Sequence, residues 1–213
     1  MPEEKSDQSI FEKTYHYYLD QVFSRIAHLS AERLGVLIQD NRIFINLLNR
    51  SYTVTRDGIV DPSGESPSFD VCIIIFKYLL TDRDNYPQDK NWCSYRDLKD
   101  SKPLIHYFKT NVEDAFIKEF SGKCDQLKKA CELLGGIYPQ EQFSQDVSIQ
   151  FNILHRVPVL LLFNDADEEF PASCSVLFER RSENYLDAEC LAMVGRFLFE
   201  SIANVEGGED LTQ

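Results

Sequence analysis

Residues 164–171 read Asn-Asp-Ala-Asp-Glu-Glu-Phe-Pro, which sets four carboxylates within five positions. Like charges that close repel unless water, a cation or a basic partner offsets them. In extended backbone Asp165, Asp167 and Glu169 project to one side, a set of hard oxygen ligands suited to calcium or magnesium. The EF-hand pattern is not met: counted from Asp165, the sixth position is not Gly and the twelfth is Val176, not Glu. Three readings stand open: a solvated hairpin turn that keeps edge strands soluble, a binding site for a partner or substrate that includes Glu168, and a metal site. Arg156, Arg180 and Arg181 are the nearest cations in sequence and the expected pairing partners if the turn is not simply solvated.

Little else has the spacing of a catalytic set. The four histidines form no HExxH or close pair. His155-Arg156 is the exception worth keeping, because it stands at the junction before the strand that leads into the acidic turn. It reads either as surface charge balancing carboxylates or as a general acid–base candidate. No GxSxG or SxxK motif appears, and the isolated glycines make neither a P-loop nor a dinucleotide loop. The six cysteines are spread irregularly with no CxxC pair, so they read as reduced thiols; Cys72 and Cys190 fall inside apolar helical runs and are expected to be buried and unpaired. Trp92 and Tyr95 flank Cys93 in a polar neighbourhood, and Tyr15, Tyr17 and Tyr18 crowd one helix. Such rings fill a core or line a pocket for a flat ligand.

The elements that must position these groups follow from periodicity. A helix is expected from Ser9, which has capping-box spacing to Glu12, with Phe11, Tyr15, Tyr18, Leu19, Val22, Phe23 and Ile26 on one face. A turn of helix from Ser30 stops at Gly35. VLIQDNRIFINLL then reads as strand, Asp40-Asn41 turn and strand, and SYTVTRDGIV as a further strand ending at Asp57-Gly58. Residues 61–68 form a loop, and Ser68 caps a buried helix, FDVCIIIFKYLL. TDRDNYPQDKN is a polar loop that leaves WCSYRDL as a short strand or extended arm. Residues 111–134 are helical with a break near Ser121-Gly122 and an end at Gly135-Gly136, leaving His106 in a loop. Strands are expected at 147–154, 157–163 and 172–178, where Pro158 implies an edge or a bulge. A helix opening at Asp187 should back them with Val194, Leu198 and Ile202. Short connections favour antiparallel pairing, so the fold class is α+β: antiparallel sheets packed against helices in a single domain over residues 9–205, with disordered tails at 1–8 and 206–213.

The balance of charge bears on function. With 22 Lys+Arg against 35 Asp+Glu among 213 residues, the net charge is −13. This opposes nucleic-acid binding and docking on anionic lipid. No apolar run reaches the length of a membrane span, and MPEEKSDQSIFEK lacks the features of a secretory signal, so a cytoplasmic location is expected.

Four stretches, RLGVLIQDNRIFINLLNRSYTV, IIIFKYLL, WCSYRDL and the run from Val157 to Gly195, resemble an uncharacterised domain family of anaerobic bacteria and archaea. The similarity spans about residues 10 to 205, and Asp167-Glu168-Glu169-Phe170-Pro171-Ala172 is its most specific piece. Members of that family are sometimes fused to a small iron–sulfur domain of the corrinoid-protein type. This chain has no four-cysteine cluster, so the resemblance implies a context of corrinoid or iron–sulfur enzymes and supplies no catalytic residues. The leading expectation is a non-catalytic binding or accessory module for a protein or small-molecule partner, its cofactor unspecified. Asp165, Asp167, Glu168, Glu169, His155, Arg156, Trp92 and Tyr95 are its candidate contacts. The alternative is a metal-assisted hydrolase or acid–base enzyme using Asp165, Asp167 and Glu169.

Overall fold

Apolar residues at helical spacing wind Glu3–Ser24 into the first helix, α1. The computed structural model describes residues 3–81 and 89–206. Ser9 therefore stands inside α1 and not at its cap, and residues 3–8 continue the helix where a tail was expected; no Pro or Gly lies between Glu3 and Ser9 to stop it. Helix α2, Ala31–Leu34, ends where Gly35 takes the left-handed conformation that glycine adopts without penalty.

Four short strands follow as an antiparallel meander: β1 Leu37–Gln39, β2 Arg42–Leu47, β3 Arg50–Thr55 and β4 Gly58–Val60. The chain after Asp57-Gly58 thus returns as a fourth strand, one more than expected. Asp40 and Asn41 both have positive φ, the two-residue turn whose twist suits a hairpin. Leu48 and Asn49 repeat that geometry between β2 and β3. Alternation puts Ile43, Ile45, Leu47, Tyr52, Val54 and Ile59 on the buried face. Tyr15 of α1 seals it, its hydroxyl accepting the Ile59 amide at 2.8 Å.

Helix α3, Phe69–Leu79, starts at Ser68, whose hydroxyl accepts the Val71 amide. Apart from Asp70 and Lys77 it is apolar, and it is buried nearly all round. Strand β5, Trp92–Ser94, realises the short strand expected there. Pro103 stands at the start of a 3-10 turn, Lys102–Leu104, and launches a helical stretch earlier than expected. That stretch comprises α4 Ile105–Phe108, a π turn at Lys109–Glu113 and α5 Asp114–Phe120, so His106 lies on a helix and not in a loop. Gly122, at positive φ, breaks it before α6, Cys124–Leu133.

The last third forms strands β6 Val147–Leu154, β7 Val157–Asn164 and β8 Ser173–Glu179, and then α7, Ala188–Glu206. The second sheet has the order β5-β8-β7-β6 and is antiparallel throughout. Pro158 sits on an interior strand; its missing N–H is accommodated beside a register irregularity at Asn152/Leu154, so the bulge alternative holds and the edge alternative does not. One face of this sheet, Ile149, Phe151, Val159, Leu161, Phe163, Val176 and Phe178, is closed to solvent. Helix α7 buries Leu191, Val194, Leu198 and Ile202, with α6 and α3 as its nearest neighbours. It is tied to the sheet through Phe108, whose ring crowds Gly195 and lies 6.0 Å from the ring of Phe178. The result is an α+β fold with one continuous core. Residues 82–88, within the expected polar loop, and 207–213, within the expected C-terminal tail, lie outside the described residues, and no described helix is long and apolar enough to cross a membrane.

All six cysteines are free and five are buried, Cys72 and Cys190 among them. Burial pushes the Cys72 thiol up to about 12 and the Cys93 thiol up to about 11. Cys124, at the start of α6, is the partly exposed one. Iodoacetamide on the folded protein is expected to modify Cys124 first and the other five only after denaturation. Mass spectrometry of peptides at timed quenches reads this, and rapid native labelling of Cys72 or Cys190 would refute the packing.

Candidate functional site

The acidic turn is exposed, and its carboxylates diverge in task. Asp165 reaches across to the α5–α6 break, accepting the Gly122 amide at 2.8 Å and its own neighbour Ala166 at 2.8 Å. The Gly122 amide is the main reason its carboxyl lies below the usual carboxylate range. Asp167 accepts the amides of Phe170 at 2.7 Å and Glu169 at 2.8 Å, which holds it low in the same way. Both acids thus act as backbone caps. Among the described residues no three His, Cys, Asp or Glu side chains are arranged to hold a metal ion, so Asp165, Asp167 and Glu169 do not form the ligand set that their spacing allowed.

The expected cationic partners are elsewhere. Hairpin turns alternate between the ends of a sheet, so the β6–β7 turn at His155-Arg156 and the β7–β8 turn at 165–172 are separated by the length of β7. Arg156 donates Nε–H to the Arg33 carbonyl at 2.9 Å, at the end of α2. His155 packs on Gly35, where a Cβ would come within 2.4 Å of the imidazole. Burial, then Arg156 and Arg181, hold the His155 pKa below the ordinary histidine value, so the ring is neutral at pH 7. Arg180 donates to the Asp97 carbonyl, and Arg181 pairs with Glu179. Trp92 is half-buried on β5, paired with Glu179. Tyr95 is a core residue, stacked on Phe108 at 4.2 Å, with its hydroxyl donating to the Ala188 carbonyl at 2.8 Å. The eight candidates therefore occupy three separate places and do not converge.

A concave feature of the described surface lies where the sequence had only tyrosines to offer. A cleft of about 490 Å³ opens between α1, the C-terminal end of α3, residues 99–100 and the segment 183–188. Tyr17 and Tyr18 form one wall, their rings 5.4 Å apart in edge-to-face contact. Lys77 and Asp187 span the cleft with a 3.0 Å ion pair, and the ammonium lies 5.4 Å from the Tyr18 ring centroid. Asp187 also caps α7, accepting the Cys190 amide at 2.9 Å. Thr81 donates to the Tyr185 carbonyl at 2.8 Å, and Glu183 accepts the Lys99 amide at 2.9 Å, so the rim is anchored by hydrogen bonds. Lys77 and Asp187 are 110 residues apart, and only the tertiary fold unites them.

Burial works against the charges of this pair, but their mutual contact outweighs it. Lys77 is raised above the ordinary lysine value, and Asp187, held also by the Cys190 amide, is lowered below the ordinary carboxylate value. The depressed Asp187 contributes stability above the unfolded carboxylate pKa and loses it as pH falls through its lower folded value. The raised Lys77 contributes below the unfolded lysine pKa and loses it as pH rises through its higher folded value. The pair is therefore fully effective between about pH 5 and pH 9. Asp187→Asn keeps an acceptor for the cap but removes the charge; it is expected to lower the thermal midpoint within that window and to converge on the parent protein at acid pH. An equal deficit at every pH would mean that the cap alone is at stake.

Comparison with curated proteins and with solved structures finds no match to this chain. A family model does match it: the one described as Domain of unknown function (DUF3786) aligns with residues 28–201, most of the chain, and the protein belongs to that family.

Proposed function

We propose that this protein is a non-catalytic binding module whose small-molecule ligand seats in the cleft between α1, α3 and residues 183–188. The observation that carries the reading is the cleft itself: about 490 Å³, lined from four chain segments by tyrosines and charges of both signs. Its described lining includes no His, Cys or Ser, the usual nucleophile and base. The enzyme alternative loses support at the acidic turn, because Asp165 and Asp167 are committed to backbone amides. Service to corrinoid or iron–sulfur enzymes of anaerobic metabolism, and a cytoplasmic location, join the proposal on the strength of the family resemblance alone.

The test is a metabolite library titrated into isotopically labelled protein and read by amide chemical shifts. At least one compound is expected to perturb Tyr18, Lys77 and Leu186 together, and to be recovered unchanged. Perturbations confined to other surfaces would overturn the site. Turnover of a bound compound would overturn the non-catalytic reading.

A further inference from the structure

The charges of the cleft are segregated by wall. The helical side presents Arg25, just past the end of α1, and Lys77 from α3, with no acid among the lining residues of either helix. The opposite side, the segment 183–188, presents Glu183 and Asp187 with no cation. Residues 99–100 add one charge of each sign at the end. In a chain of net charge −13 this cleft is locally neutral but strongly dipolar. An anion entering it meets the acidic wall, and a cation meets the basic one. A molecule carrying both charges, oriented along the dipole, gains from each wall without repulsion.

Lys77 and Asp187 already show the pairing that such a ligand would extend. Their side chains remain 35% and 48% exposed, so each keeps open positions for a further hydrogen bond. The edge-to-face pair of Tyr17 and Tyr18 beside them offers an aromatic surface, and Tyr17 is 60% exposed although it lines the cleft. Helix α1 and Arg25 precede the span matched by the family model, so the tyrosines and one of the two cations of this wall come from outside the matched region, and Lys77 comes from within it.

We infer that the cleft binds a small zwitterion with an aromatic or flat body, an aromatic α-amino acid or a compound of that class, with its carboxylate toward the helical wall and its ammonium toward residues 183–187. The inference rests on the binding reading above and narrows it. L-Phenylalanine and L-tryptophan are the probes, each compared with its N-acetyl derivative, which keeps only the negative charge, and its carboxamide, which keeps only the positive one. Titrations followed by amide shifts at Tyr18, Lys77 and Glu183 are expected to show the free amino acid binding about tenfold more tightly than either derivative. Glu183→Gln, which keeps the acceptor for the Lys99 amide, should erase most of that preference for the ammonium form while the thermal midpoint stays put. Equal binding of all three forms overturns the zwitterion inference and leaves the cleft as a binding site. No binding of any form, with other library compounds still perturbing the cleft, also overturns the inference alone. Silence from every compound overturns both.

Discussion

Arg181→Met is expected to destabilise the protein by about 3–5 kcal/mol, because it strands a buried carboxylate. Glu179 and Arg181 are 7% and 8% exposed, the former closing β8 and the latter second in the 3-10 segment Arg180–Asn184 that follows it. Methionine fills much of the space of the arginine stem, so the loss is chiefly electrostatic: the ionised Glu179 would remain in a poorly hydrated position without its partner. The effect should shrink when Glu179 is first made Gln, since a neutral amide tolerates the site at far lower cost. Urea midpoints of the four proteins of this cycle provide the check. If Arg181→Met costs the same in both backgrounds, the ion pair is not what the residue contributes.

The second expectation concerns Phe108 and Gly195. Phe108 is 2% exposed, stacked on Tyr95 and near Phe178, and its truncation to Ala is expected to cost about 3–5 kcal/mol. Gly195 stands inside α7, where glycine ordinarily weakens a helix, and a Cβ there would come within 2.5 Å of the Phe108 ring. Gly195→Ala alone should therefore cost about 1–3 kcal/mol through overpacking. In the Phe108→Ala background the obstruction is gone, and the same substitution should become neutral or stabilising by up to about 1 kcal/mol, the ordinary helix preference of Ala over Gly. A change of sign between backgrounds, read from denaturation midpoints, is the expected result. Simple additivity would show that the helix and the ring do not meet.

What was legible in the chain divides along the same line as these two cases. Local chemistry reads well: Gly35 stops α2, Ser68 caps α3, Asp40-Asn41 turns β1 into β2, and alternation marks β6 and β8. The turn at Leu48-Asn49 was not legible, since leucine resists positive φ and only the surrounding packing imposes it. The acidic run was conspicuous because composition is visible in one dimension. Whether Asp165 faces a cation or the Gly122 amide depends on a loop 43 residues away. The cleft was the least legible of all: its walls come from residues near 20, 80, 100 and 185, and no window of sequence contains them together. Tyr17 and Tyr18 carried the one advance hint, as rings crowded on a helix.

The strained turn at Leu48 has a consequence for self-association. An eight-residue outer strand such as β6, with apolar β7 behind it, would offer a free ladder to which another chain could add. Here that ladder is occupied at two points. Ile137 and Gln150 exchange backbone hydrogen bonds at 2.9 and 2.8 Å, and the Leu48 amide donates to the Ile153 carbonyl at 2.9 Å. The left-handed leucine, itself only 6% exposed, is what turns that amide outward from its own hairpin toward the neighbouring sheet. At the opposite border, β5 runs for three residues, too short to template an intermolecular ladder. The left-handed backbone at one residue thus helps to close the outer edge of β6, leaving less of its ladder open for another chain to extend.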